Sequence, residues 1–174
     1  MVILVEPKDQ KYDPRGVANY ILDCCEMGGI AISNLKLQKI MFFVEGWHSA
    51  TLGRQLIDAD FEAWDYGPVI STIYHSFKSW GSEAIEGRAK AINLKDGSTA
   101  PVKVNLPSDT VDLISFILAR YGRLAPAKLV ELSHVKDGPW DQVMRIEPSE
   151  RKTSRISQDA IRDFFSKKIR SRTC

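Results

Sequence analysis

The run Ser33-Asn34-Leu35-Lys36-Leu37-Gln38-Lys39-Ile40-Met41-Phe42-Phe43-Val44-Glu45-Gly46-Trp47-His48-Ser49-Ala50-Thr51-Leu52-Gly53 decides the fold. Ser33 or Asn34 can cap a helix, and Gly53 can end it. Leu37, Ile40, Met41, Val44, Trp47 and Thr51 fall along one side, while Leu35, Phe42 and Phe43 add apolar surface elsewhere. A helix that is apolar on more than one face belongs at the centre of a fold. Lys36, Gln38 and Lys39 are the polar exceptions in its first turns.

Upstream, Asp13-Pro14 opens a first helix and Gly28-Gly29 closes it, with Val17, Ala18, Ile21, Leu22 and Cys25 at helical spacing. Downstream, Phe61-Glu62-Ala63-Trp64 alternates weakly as a short strand, and Asp65-Tyr66-Gly67-Pro68 reads as a turn. Pro68 is expected to start a third helix carrying Ile70, Ile73, Tyr74, Phe77 and Trp80. Ile92-Asn93-Leu94 and Val102-Lys103-Val104 flank a connection containing Gly97, which suggests a hairpin. Further helices start at Ser108 or Asp109, at Pro126 and after Gly138-Pro139-Trp140. A polar stretch over 147–155 reads as a linker before a last amphipathic helix with Ala160, Ile161, Phe164, Phe165 and Ile169. The expectation is a single, mainly α domain of six to seven helices with a small β-hairpin or short antiparallel sheet.

The 174 residues suffice for one domain that buries about two-thirds of its unfolded surface. Hydrophobic content of 44% and charged content of 26% exclude a disordered chain, and a net charge of +2 gives no general affinity for nucleic acid. No apolar run reaches the ~20 residues of a membrane span. The opening run over 1–6 lacks a basic n-region and a full h-region, so no signal peptide is expected. Cys24, Cys25 and Cys174 are a poor disulfide framework, which favours the cytoplasm.

Candidate chemistry is sparse. Glu45/His48 and Glu131/His134 repeat Glu-x-x-His, half of a carboxylate-bridged di-metal site, with Glu26 as an extra ligand and no good second one. This would make a metal-dependent enzyme. A zinc set of His48, His75 and His134 has no supporting spacing. A lone histidine among aromatics is more often hydrogen-bonded between a main-chain carbonyl and a side chain. No nucleophile elbow, phosphate loop or dinucleotide fingerprint occurs, so no catalytic residue, metal or cofactor is assigned. The basic tail, Lys167, Lys168, Arg170 and Arg172, suits a solvated helix end. A DNA-binding regulator acting through it is the alternative, and a nucleic-acid partner is not expected. Trp47, Trp64, Tyr66 and Tyr74, with His48 and His75, remain open to two readings: core fillers with polar handles, or anchors of a protein interface.

Ordered motifs then come into view: Asn34-Leu35-Lys36-Leu37-Gln38-Lys39, Gly46-Trp47-His48, and Glu62-Ala63-Trp64-Asp65-Tyr66-Gly67-Pro68-Val69. Ala18-Asn19-Tyr20 precedes them, and Leu132-Ser133-His134 with Pro139-Trp140 follows. The set resembles the Panacea domain, also called the SocA-like or phage-associated (GepA-like) family, over residues 17–140. The resemblance implies an antitoxin that binds a cognate toxin protein, with no enzymatic activity or cofactor. For SocA-like members it also implies an adaptor that hands toxin to an AAA+ protease of the ClpXP type. It divides the chain into an N-terminal segment (1–12), a Panacea-like domain (13–145), and a linker, amphipathic helix and basic tail (146–174). No added DNA-binding segment is visible, and the region after Trp140 matches no family motif, so its helix is a candidate docking element. Residues shared by a domain that meets many toxins are expected to be scaffold: Asn34, Leu35, Leu37, Gln38, Gly46, Trp47, Glu62, Trp64, Gly67, Pro68, His134, Pro139 and Trp140. Lys36, Lys39, His48 and Tyr66 are expected to form an exposed or partly exposed partner-binding patch.

Overall fold

Helix α1 (Pro14–Met27) starts where Asp13 accepts a hydrogen bond from the Arg15 amide at 2.8 Å, with Pro14 in its first turn. Its stripe from Val17 to Cys25 is buried. The computed structural model describes residues 10–150 and 154–171. The opening run over 1–6, Arg172 and Cys174 lie outside the described residues.

Helix α2 (Asn34–Leu52) is capped by Ser33 and ends at Gly53, whose φ of +70° suits glycine. It is buried on every side and forms the axis of the molecule. Strands β1 (Phe61–Trp64) and β2 (Gly67–Val69) follow, then α3 (Ser71–Phe77), a 3₁₀ turn over Lys78–Trp80, and a hairpin of β3 (Lys90–Ile92) and β4 (Thr99–Pro101). Helices α4 (Ser108–Tyr121), α5 (Pro126–Ser133) and α6 (Pro139–Met144), the two-residue strand β5 (Arg155–Ile156) and helix α7 (Gln158–Arg170) complete the chain. Among the described residues, seven α-helices with small antiparallel sheets match the fold class expected from the sequence. None of the described helices is long and apolar enough to cross a membrane.

The closest helix contact explains Gly46. A Cβ there would lie 2.1 Å from Phe165 Cε2 and 2.2 Å from Cδ2, so the glycine lets the ring of α7 lie directly on the α2 backbone. Phe165 is 1% exposed and meets Trp47 edge-on at 5.2 Å and Phe42 at 5.7 Å. Phe43 stacks on Tyr121 at 4.5 Å, and Trp47 Nε1 donates to the Tyr121 hydroxyl at 3.2 Å. The apolar face of α7 is therefore consumed within the fold. This corrects its reading as a free docking element: Ile161 and Phe165 fill the core beside α2.

Three boundaries also move. The third helix begins at Ser71, not Pro68, because residues 67–69 pair with β1 and place Pro68 opposite Ala63. It ends at Phe77, with the remainder to Trp80 tightening into a 3₁₀ turn. The second hairpin lies a few residues earlier on both arms than expected. Asn93 and Asp96 spend their side chains on the turn, accepting from the Lys95 and Ser98 amides at 2.9 Å. Val104 leaves the sheet to pack on Gly16. At the end of the expected linker, Arg155 and the following Ile156 pair with Glu62 and Phe61 and form the third strand of the sheet β2-β1-β5.

Candidate functional site

The first turns of α2 hold the β1–β2 hairpin by side chains one turn apart. Asn34 Nδ2 donates to the Tyr74 carbonyl at 3.1 Å. Gln38 accepts from the Ile70 amide at 2.8 Å and donates to the Ile70 carbonyl at 3.5 Å. Lys39 Nζ donates to the Pro68 carbonyl at 3.0 Å. Residues 34, 38 and 39 thus tie main-chain groups of β2, Ile70 and α3 to the start of α2.

The other motifs close the hairpin from its far side. Trp140 Nε1 donates to the Trp64 carbonyl at 2.8 Å, and the Trp140 ring stacks on His134 at 3.6 Å with the planes 6° apart. Trp64 Nε1 donates to Glu62 at 2.9 Å, and its ring meets Tyr74 edge-on at 5.0 Å. Gly67 has φ +101°, and a Cβ there would lie 2.7 Å from Ser133 Oγ and 2.8 Å from Lys39 Cε.

Burial pushes the Lys39 amine down to about 7, and among the described residues it makes no ion pair. Burial also lowers His134, helped by the Lys39 charge, and its buried Nε2 has no hydrogen-bond partner among the described residues. Unfolded Lys39 keeps its proton to about 10.5, whereas the folded chain releases it near 7. Between these values the unfolded state binds more protons, so stability rises with pH, at most by ~1.4 kcal/mol per unit. Urea unfolding from pH 7 to about 8, below the midpoint of thiol ionisation, is expected to show this rise. Lys39→Met is expected to flatten it; an equal slope in both proteins refutes the assignment.

Three members of the expected surface patch are not on the surface. Lys36, Lys39 and His48 are 8%, 0% and 1% exposed, and only Tyr66, at 71%, is open. The cause is α2 itself: a helix packed on all sides leaves no solvent face for its polar residues. Lys36 Nζ reaches back to the Ala31 carbonyl at 3.4 Å. His48 lies between the Arg54 carbonyl (Nδ1, 2.8 Å) and Thr110 Oγ1 (Nε2, 3.1 Å), the arrangement expected of a structural histidine.

The two Glu-x-x-His pairs do not converge. Glu45 is buried and accepts from Ser49 Oγ at 2.6 Å, the Ile57 amide at 2.9 Å and the Leu56 amide at 3.2 Å. Burial raises it despite these donors. Glu131 pairs with Lys128 on the surface at 2.6 Å. No group of three or more His, Cys, Asp or Glu side chains among the described residues is placed to hold a metal. Cys25 is buried, and burial pushes its thiol up to about 11, in keeping with a small apolar filler. In the tail, Lys168 lies over the Phe164 ring at 4.7 Å.

What the hairpin does present is a cleft of about 510 Å³ between the start of α2, the β1–β2 turn and α3. Leu35, Trp64, Tyr66, Val69 and Tyr74 supply its apolar lining, with Asp65 and Lys78 among the polar groups. The sequence reading missed Asp65 and Lys78 as cleft residues, and it left Tyr74, which is 37% exposed, open between core and interface. It also left Asn19 without a role. Asn19 is 4% exposed, donates to the Ala89 and Val102 carbonyls and accepts from the Ala89 amide, all at 2.8 Å, pinning the second hairpin to α1. A buried amide inside a helical stripe was the available signal.

Comparison with known proteins gives this arrangement a context. Residues 37–141 match the family described as antitoxin SocA-like, Panacea domain. Over 134 residues the chain is 37% identical to antitoxin SocA of Caulobacter vibrioides (strain NA1000 / CB15N), a match spanning 77% of this chain and 71% of that protein. No solved structure matches the chain. With the family match running from within α2 into α6 and including Gln38, Lys39, Trp64, Gly67 and Trp140, the chain belongs to the SocA-like antitoxin family with the Panacea domain.

Proposed function

We propose that this protein is a cytoplasmic antitoxin that neutralises a cognate toxin by direct protein–protein binding, without catalysis. The observation that carries the reading is the 37% identity to an antitoxin over 77% of the chain. The geometry is compatible with it. The polar side chains of the first motif are spent on internal hydrogen bonds, which makes a rigid platform that gives up little conformational entropy on binding. We further propose that the bound toxin is delivered to an AAA+ protease of the ClpXP type.

The test is co-expression with the product of the neighbouring reading frame. That product alone is expected to arrest growth, and co-expression is expected to restore it. Delivery predicts a short toxin half-life that lengthens when the protease is removed, whereas sequestration alone leaves the half-life unchanged. A neighbour that is harmless alone and forms no complex overturns the antitoxin reading.

A further inference from the structure

We propose that the cleft beside the β1–β2 turn is where the toxin docks, taking a protruding toxin segment with an aromatic or branched aliphatic side chain between an acidic and a basic neighbour. This rests on the antitoxin reading above. The cleft falls in the ~300–1,000 Å³ range of sites that enclose a ligand-sized group. Its walls are rigid before anything binds. Trp64 is fixed through its indole nitrogen, its carbonyl and its ring edge, and Asn34 holds the main chain at Tyr74.

Charge says which occupant fits. Part of the surface charge is matched within the chain, as in Arg54 with Asp109, Arg88 with Asp23, Lys128 with Glu131 and Arg145 with Asp137. Among the described residues, Asp65 and Lys78 belong to no ion pair, yet both line the same cleft. They are available to a carboxylate and a cation on the visiting segment, which fixes its direction along the cleft. The Tyr66 and Tyr74 hydroxyls likewise have no hydrogen-bond partner among the described residues. Tyrosine offers a large contact area with a polar tip at little rotamer cost, a common character of binding anchors.

The experiment measures binding of the purified neighbouring-frame toxin to the full-length protein by calorimetry, for wild type, Tyr66→Ala and Lys78→Glu. Both side chains are exposed, so melting temperatures are expected to stay within about 2 °C of wild type. Each substitution is expected to weaken toxin binding at least tenfold, with a matching loss of growth protection. Unchanged affinity in both variants overturns the cleft proposal and leaves the antitoxin reading standing. No binding by wild type overturns both. If sedimentation shows that Tyr66→Ala only converts a dimer into a monomer while toxin affinity holds, the cleft joins two copies of this chain and the proposal is also overturned.

Discussion

Gly46→Leu is expected to abolish folding at room temperature or to cost at least ~4 kcal/mol. Overpacking a core by a few methylenes typically costs about 1–3 kcal/mol because neighbours can shift. Here the overlap begins at Cβ, 2.1 Å from a ring carbon of Phe165, and that ring is itself wedged against Trp47 and Phe42. The only escape is to push α7 off α2, which exposes Ile161 and Phe165 together. In an unobstructed helix interior, replacing glycine would instead help by a few tenths to one kcal/mol, so the sign alone distinguishes close approach from propensity. Phe165→Ala alone is expected to cost ~3–5 kcal/mol through its cavity. Combined with Gly46→Leu it is expected to recover part of the loss, since the leucine fills the space the lost ring vacates. Urea unfolding of the four proteins gives the coupling; simple additivity contradicts the contact.

Gly67→Val carries the second large effect, and it acts on the hairpin rather than the helices. A branched side chain at φ +101° costs on the order of 1–3 kcal/mol in backbone strain. Its Cβ also meets Ser133 Oγ at 2.7 Å and Lys39 Cε at 2.8 Å. Relief requires the Lys39 side chain to withdraw or β2 to lift, and either breaks the hydrogen bond from Lys39 to the Pro68 carbonyl beside the turn that carries Tyr66. A loss of ~3–5 kcal/mol is expected from strain and overpacking together. Toxin protection is expected to fall even at temperatures where the helical signal in circular dichroism persists. Full protection with an unchanged melting temperature contradicts the tight seat of the hairpin.

The helical frame was legible because it obeys local rules. Asp13-Pro14 and Gly53 mark helix ends by their chemistry, and the all-round apolar character of residues 35–47 placed α2 at the centre before any contact was known. That same character also bore on Lys39 and His48. On a helix with no solvent face, a cation or an imidazole must be buried with main-chain partners, and reading them as surface residues ignored this. Strand β5 was not legible: two residues about ninety positions from their partners carry no periodicity, and only the backbone donors and acceptors of β1 call for them. The cleft was half legible. The aromatic turn stood out, but Lys78 enters through the end of α3, where the apolar stripe drew attention to the opposite face.

Direct binding to a toxin is tested most plainly by mixing the purified protein with the purified product of the neighbouring reading frame and measuring the mass of what forms by light scattering. A stable complex of fixed stoichiometry, formed without nucleotide or protease, is the predicted result. A toxin that is suppressed in cells by this protein, yet forms no complex with it in the purified mixture, would contradict neutralisation by direct binding.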